Sequence, residues 1–91
     1  MEFEWDSEKA TQNLGKHNVS FHEAATAFGD PLSVTFPDPN HSIGENRHII
    51  VGISQHNRLL IIAHTDRDDR IRIISARAAT RREMRFYEEE S

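Results

Sequence analysis

No cysteine occurs in this chain. Disulfides, zinc–thiolate sites and thiol nucleophiles are therefore excluded, and a reducing cytosol is the natural setting. No apolar run approaches the roughly 18 residues that span a bilayer, so no membrane association is expected. The first residues, MEFEWDSEK, are acidic and lack an apolar core, which does not fit a secretory signal. Glycine and proline are scarce, four and three residues, and no glycine-rich phosphate loop, serine nucleophile elbow or dinucleotide fingerprint is present. Nor are there repeats, linkers or low-complexity tracts. At 91 residues the expectation is one domain spanning 1–91, with one sheet and two or three helices.

Arginine, by contrast, is plentiful. The net charge is −4, yet it is unevenly placed. Residues 1–57 carry Lys9, Lys16 and Arg47 against eight acids, a net of −5, whereas residues 67–85 carry seven arginines against three acids, a net of +4. Nine of the eleven basic residues are arginine, whose planar fork suits phosphate or carboxylate.

Local signals give the order of elements. Phe3 and Trp5 alternate with Glu2 and Glu4 as a short strand. Asp6 caps a helix running to about His17, which Asn18 stops in the left-handed conformation. Ser20 and Glu23 form a capping box for a helix over Phe21–Phe28, ended by Gly29-Asp30-Pro31. Strands are predicted at Leu32–Phe36, Arg47–Ser54, Leu59–Thr65 and Ile71–Ile74, with a loop over 37–44 and tight connections at 55–58 and 67–70. Ser75 then caps a last helix, in which Arg77, Arg81 and Arg85 recur every four residues and share a face. The fold class is α+β: two N-terminal helices, an antiparallel sheet of three to four main strands and a C-terminal helix. In the strand over Leu59–Thr65, period-two alternation groups Leu60, Ile62 and His64 apart from Leu59, Ile61 and Ala63. A face mixing His64, Arg70 and Arg72 with aliphatics is expected to be the open, working one.

Six histidines supply proton carriers for neutral pH. Their spacing does not force them together, there is no HExxH pattern, and no metal or other cofactor is expected. Arginine, lysine and histidine without metal or nucleophilic side chain suit RNA cleavage, where the 2′-hydroxyl supplies the nucleophile. Such a site needs a proton acceptor, a proton for the leaving 5′-oxygen and cations for the phosphorane. Composition permits this chemistry without selecting it. A non-catalytic module whose arginine-rich helix docks on an acidic partner is the alternative.

Three segments bear on that choice: FEWDSEKATQNLGKHNVSFHEAATAF, GENRHIIVG leading into a strand ending HTDR, and RIRIISARAATRREMRFYE. In this order the chain resembles the BrnT toxins of bacterial type II toxin–antitoxin systems. The resemblance implies a RelE-like fold and a cytoplasmic ribonuclease that inhibits translation. It also implies silencing by a BrnA-type ribbon-helix-helix antitoxin, with operator DNA reached only through that partner. Under this reading the candidate catalytic residues are His17, Arg67, Arg77 and His64. Candidate RNA contacts are Lys9, Lys16, Arg72, Arg81 and Tyr87, the last as a base-stacking ring or an anchor for its helix. Glu83 is expected to orient neighbouring arginines.

Overall fold

In the computed structural model, which describes residues 1–40 and 46–90, short-range capping starts the first two helices. Asp6 accepts hydrogen bonds from the N–H groups of Glu8 and Lys9, at 2.8 and 3.1 Å, and opens helix α1 (Ser7–His17). Asn18 closes it at φ 56°, a conformation asparagine tolerates better than most residues. Ser20 Oγ accepts from Glu23 N–H and opens α2 (Phe21–Ala27).

Five strands form one sheet: β1 (Glu2–Glu4), β2 (Val34–Pro37), β3 (Arg47–Ile53), β4 (Leu59–Arg67) and β5 (Arg70–Ala78), in the order β1-β5-β4-β3-β2. The meander β2-β3-β4-β5 is antiparallel, as the short connections require, and Asn57 and Asp68 take positive φ in its turns. β1 joins the far edge parallel to β5, so the sheet is mixed rather than purely antiparallel. Helix α3 (Arg81–Glu90) ends the described chain. Among the described residues no helix is long and apolar enough to cross a membrane.

α1 and α2 cover one face. Val19, Phe21, Ala24 and Ala27 meet Ile50, Leu60, Ile62, Ile73 and Ala76 there, with Phe3 and Trp5 packed against them. The opposite face carries a smaller cluster of Val51, Ile61 and Tyr87, flanked by Phe36 and Ile49. α3 lies on this second face.

Five expectations are corrected. β5 does not stop at Ile74 but continues to Ala78, because its pairing with β4 runs to Leu60↔Ala78 and outweighs the helix preference of the alanines. Ser75 is therefore a strand residue, and Thr80 caps α3. Its Oγ1 accepts from Glu83 N–H at 3.2 Å while Glu83 Oε1 accepts from Thr80 N–H at 2.9 Å. Arg77 leaves the helix, and only Arg81 and Arg85 of the expected stripe remain on it. His64 shares the face of Leu60 and Ile62 as expected, but that is the face the helices cover. It is 6% exposed, its ring 4.9 Å from that of Phe28. Finally, β2 begins at Val34, because Asp30 folds Leu32 and Ser33 into a turn and leaves Leu32 exposed. Positions 41–44 of the expected loop lie outside the described residues.

Candidate active site

Between the open sheet face and α3 lies a cleft of about 820 Å³. Alternation along the strands builds its floor. Val34 and Phe36 from β2, Ile49 and Val51 from β3, and Ile61 and Ala63 from β4 all point into it. The same parity brings Arg47 from the start of β3. Ser75 and Arg77 come from β5, on either side of Ala76. The register shift between Ala63 and His64 lets Ser75 and Arg77 share a face with Ile61 and Ala63. Asp38, Glu83 and Glu90 contribute carboxylates, and Phe86 of α3 adds an aromatic wall edge-to-face with Phe36 at 6.0 Å.

His17 enters from the C-terminal end of α1. Its helix is fastened to β5 by Asn13, whose amide bonds Ala76, and the helix end is held by Arg58, which donates to Asn18 O at 3.0 Å. Arg58 is itself gripped through two nitrogens by the buried Glu23 carboxylate, which also accepts from Ser54 Oγ. That grip holds the Glu23 carboxyl below the usual carboxylate range.

Arg77 is firmly anchored in the cleft. Its two terminal nitrogens donate to the two oxygens of Glu83 at 2.8 and 2.7 Å, a fork–fork pair, and Nη1 also approaches Ala78 O at 3.3 Å. The pair pushes the Glu83 carboxyl down to about 2 and raises the guanidinium, each chiefly through the other's hydrogen bonds. Glu83 thus orients Arg77 as expected, although from the helix to the strand.

Of the candidate catalytic and RNA-contacting residues, His17 and Arg77 both line the cleft and the others do not. His64 is buried on the opposite face, its pKa lowered by burial, with neither ring nitrogen hydrogen-bonded among the described residues. Arg67 sits at the exposed end of β4, 3.9 Å from Glu4, and Arg72 donates to Glu4 at 2.9 Å near the β1 edge. Lys9, Lys16 and Arg81 are exposed on helix surfaces. Tyr87 is 7% exposed, and its hydroxyl donates to Asp30 Oδ2 at 2.6 Å. Burial first, then that bond, pushes its pKa up to about 12, so it anchors α3 rather than offering a free ring.

Arg47, Asp38, Phe36 and Phe86 were not singled out from sequence. For Arg47 a signal existed, since alternation through Ile49 and Val51 points it to their face. For the aromatic pair none did, because Phe36 and Phe86 meet only after α3 folds back on β2. Together the cleft offers one imidazole, two guanidiniums and a flat apolar floor with two rings. That combination fits a phosphodiester carrying planar bases.

A family model described as "Ribonuclease toxin, BrnT, of type II toxin-antitoxin system" matches residues 5–83. Those residues include His17, Arg47, Arg77 and Glu83. Among solved structures, the chain is similar to the Brucella abortus ribonuclease toxin BrnT. The TM-score is 0.70 at 19% identity, over 89% of this chain and 99% of that one. At this identity the likeness establishes the fold. No curated protein matches the sequence.

Proposed function

This chain belongs to the BrnT ribonuclease toxins of type II toxin–antitoxin systems, and we propose that it is an endoribonuclease acting at the cleft of His17, Arg47 and Arg77. One observation carries this reading. The cleft gathers an imidazole and two guanidiniums beside an apolar floor, the groups required when RNA supplies its own nucleophile. In the proposed reaction the 2′-hydroxyl loses its proton to His17 and attacks the adjacent phosphorus. Arg77, held rigid by Glu83, and Arg47 stabilise the charge that grows on the phosphorane oxygens. The bond to the 5′-oxygen breaks, that oxygen is protonated from water, and a 2′,3′-cyclic phosphate remains. Phe36 and Phe86 offer ring surface to a neighbouring base. No step requires a metal or an organic cofactor.

The family implies an antitoxin partner. We infer a BrnA-type ribbon-helix-helix protein that neutralises the toxin in the cytoplasm, with the complex repressing its own operon. Unopposed, the toxin would inhibit translation by cutting RNA. The test is expression alone and with that antitoxin, together with cleavage of RNA by purified protein in EDTA. Growth arrest relieved by the antitoxin and cleavage unaffected by EDTA are expected. His17→Ala and Arg77→Ala should each lower cleavage about 100-fold or more while remaining folded. Cleavage lost in EDTA and restored by zinc would sink the mechanism. Intact RNA with tolerated expression would favour a binding module that uses the exposed Arg81, Arg82 and Arg85 of α3.

A further inference from the structure

β1 pairs with β5 only over Arg70–Arg72 and then turns away into α1. Past that point the outer edge of β5 has no neighbouring strand among the described residues, and its peptide groups need other partners. At Ala76 the partner is a side chain. Asn13 Oδ1 accepts from Ala76 N–H at 3.1 Å, and Asn13 Nδ2 donates to Ala76 O at 2.8 Å. The amide thus bonds the strand as a backbone peptide would. The same Nδ2 donates to Val19 O at 2.9 Å, in the connection between α1 and α2. Asn13 is 7% exposed, and Val19 and Ala76 are 0% and 1%, so little water is at hand to replace these bonds.

The placement matters for the cleft. Ala76 stands between Ser75 and Arg77, whose side chains enter the cleft. Asn13 precedes His17 by four residues, one turn along the same helix face. A single buried amide therefore ties the helix that carries the imidazole to the strand that carries the guanidinium. Beside it, the Arg58 bond to Asn18 O holds the helix end to the β3–β4 hairpin but does not reach β5.

We propose that Asn13 is a positioning residue that sets His17 against Arg77, an inference resting on the reading of the cleft as the cleavage site. Only an amide of this length satisfies all three backbone groups. Serine lacks the reach and the second donor. Aspartate keeps an acceptor for Ala76 N–H but turns an oxygen toward the carbonyls of Ala76 and Val19. Without the amide α1 can slide along β5, and a misplacement of about 1 Å costs on the order of 100-fold in rate.

A double-mutant cycle tests this. Single-turnover cleavage of a fluorescent single-stranded RNA oligonucleotide is measured for wild type, Asn13→Ser, His17→Ala and the double variant. Binding is measured with the 2′-O-methyl form of the same oligonucleotide, which lacks the nucleophile. Asn13→Ser should cleave about 100-fold slower yet bind the 2′-O-methyl oligonucleotide within about threefold of wild type. In the His17→Ala background it should cost almost nothing further, because the two residues act as a unit. Losses that multiply, or an Asn13→Ser variant as fast as wild type, would overturn the proposal. A His17→Ala variant as fast as wild type would refute the assignment of the cleft in an arm that does not involve Asn13, and the proposal would fall with it. Should Asn13→Ser not fold, Asn13→Asp, of nearly unchanged volume, runs the same cycle with the same expectations.

Discussion

Replacing Glu83 by glutamine removes the charge that pairs with Arg77 while keeping an oxygen able to accept from Thr80 N–H. The two roles of Glu83 can therefore be weighed separately. The carboxyl falls from 4.5 to about 2 on folding, which corresponds to about 3.4 kcal/mol if converted in full. The side chains of Arg77 and Glu83 are 41% and 30% exposed, and solvent screening reduces this to about 1–1.5 kcal/mol. For a domain of this size that lowers Tm by about 4–12 °C at neutral pH. Glu83→Ala also loses the capping box, about 1 kcal/mol more, and should fall further. The pH dependence has a fixed sign. A carboxyl whose pKa is depressed in the folded state stabilises above its unfolded value and ceases to do so as pH falls through the folded one. The gap between wild type and Glu83→Gln should thus be full above pH 4.5 and close as pH approaches about 2. Circular-dichroism melts of both proteins across that range measure it. Equal Tm at neutral pH, or a gap that persists at pH 2, would refute the pairing as a source of stability.

Burial lowers the pKa of His64 below 6.5, so the unfolded chain takes up its proton before the folded one does. Stability should fall as pH drops below 6.5, and His64→Leu should flatten that fall in urea midpoints between pH 7.5 and 5; parallel slopes would count against it. Gly52 faces α2 with no room for a side chain, since an added Cβ would stand 2.7 Å from Ala27 O and 3.2 Å from Ser33 Cβ. Gly52→Ala should cost about 1–3 kcal/mol, read as a lower denaturant midpoint, and an unchanged midpoint would contradict the packing.

What the sequence revealed was what short-range chemistry decides. Asp6, Asn18 and the Ser20 hydroxyl place both ends of α1 and the start of α2 because each acts on backbone groups within four residues, whereas the Glu23 carboxylate, expected to complete a capping box, turns to Arg58 and Ser54. The end of β5 is of another kind. Residues 76–79, Ala-Arg-Ala-Ala, favour a helix in isolation, and partners distant in sequence, β4 on one edge and Asn13 on the other, keep three of them in a strand. A local signal for the true start of α3 existed in Thr80-Arg81-Arg82-Glu83, since Ser75 has no acid three residues later. His64 illustrates a second limit. Alternation sorts a strand into two sets but does not say which set the helices will cover. The cleft residues from β2 and α3 depend on both facts at once, which is why Phe36 and Phe86 stayed hidden while His17 and Arg77 were legible as chemistry-bearing types.

The fold also explains how an acidic chain can carry an arginine-rich segment suited to phosphate. Arg70 and Arg72 lie against Glu2 and Glu4, which the parallel pairing of β1 brings to the same edge. The acids of the N-terminal strand thus offset the strand portion of the basic run, and long-range attraction for polyanions is weakened there. Arg77 is neutralised differently. A guanidinium has five N–H donors, and three contacts of Arg77 go to Glu83 and Ala78. Glu83 can therefore fix the plane of the group without using its whole edge, and a phosphate in the cleft would meet a cation already oriented. Affinity of this kind is local and geometric. It asks for few phosphate contacts, and it is compatible with a net charge of −4 because the field that matters acts within the cleft rather than across the surface.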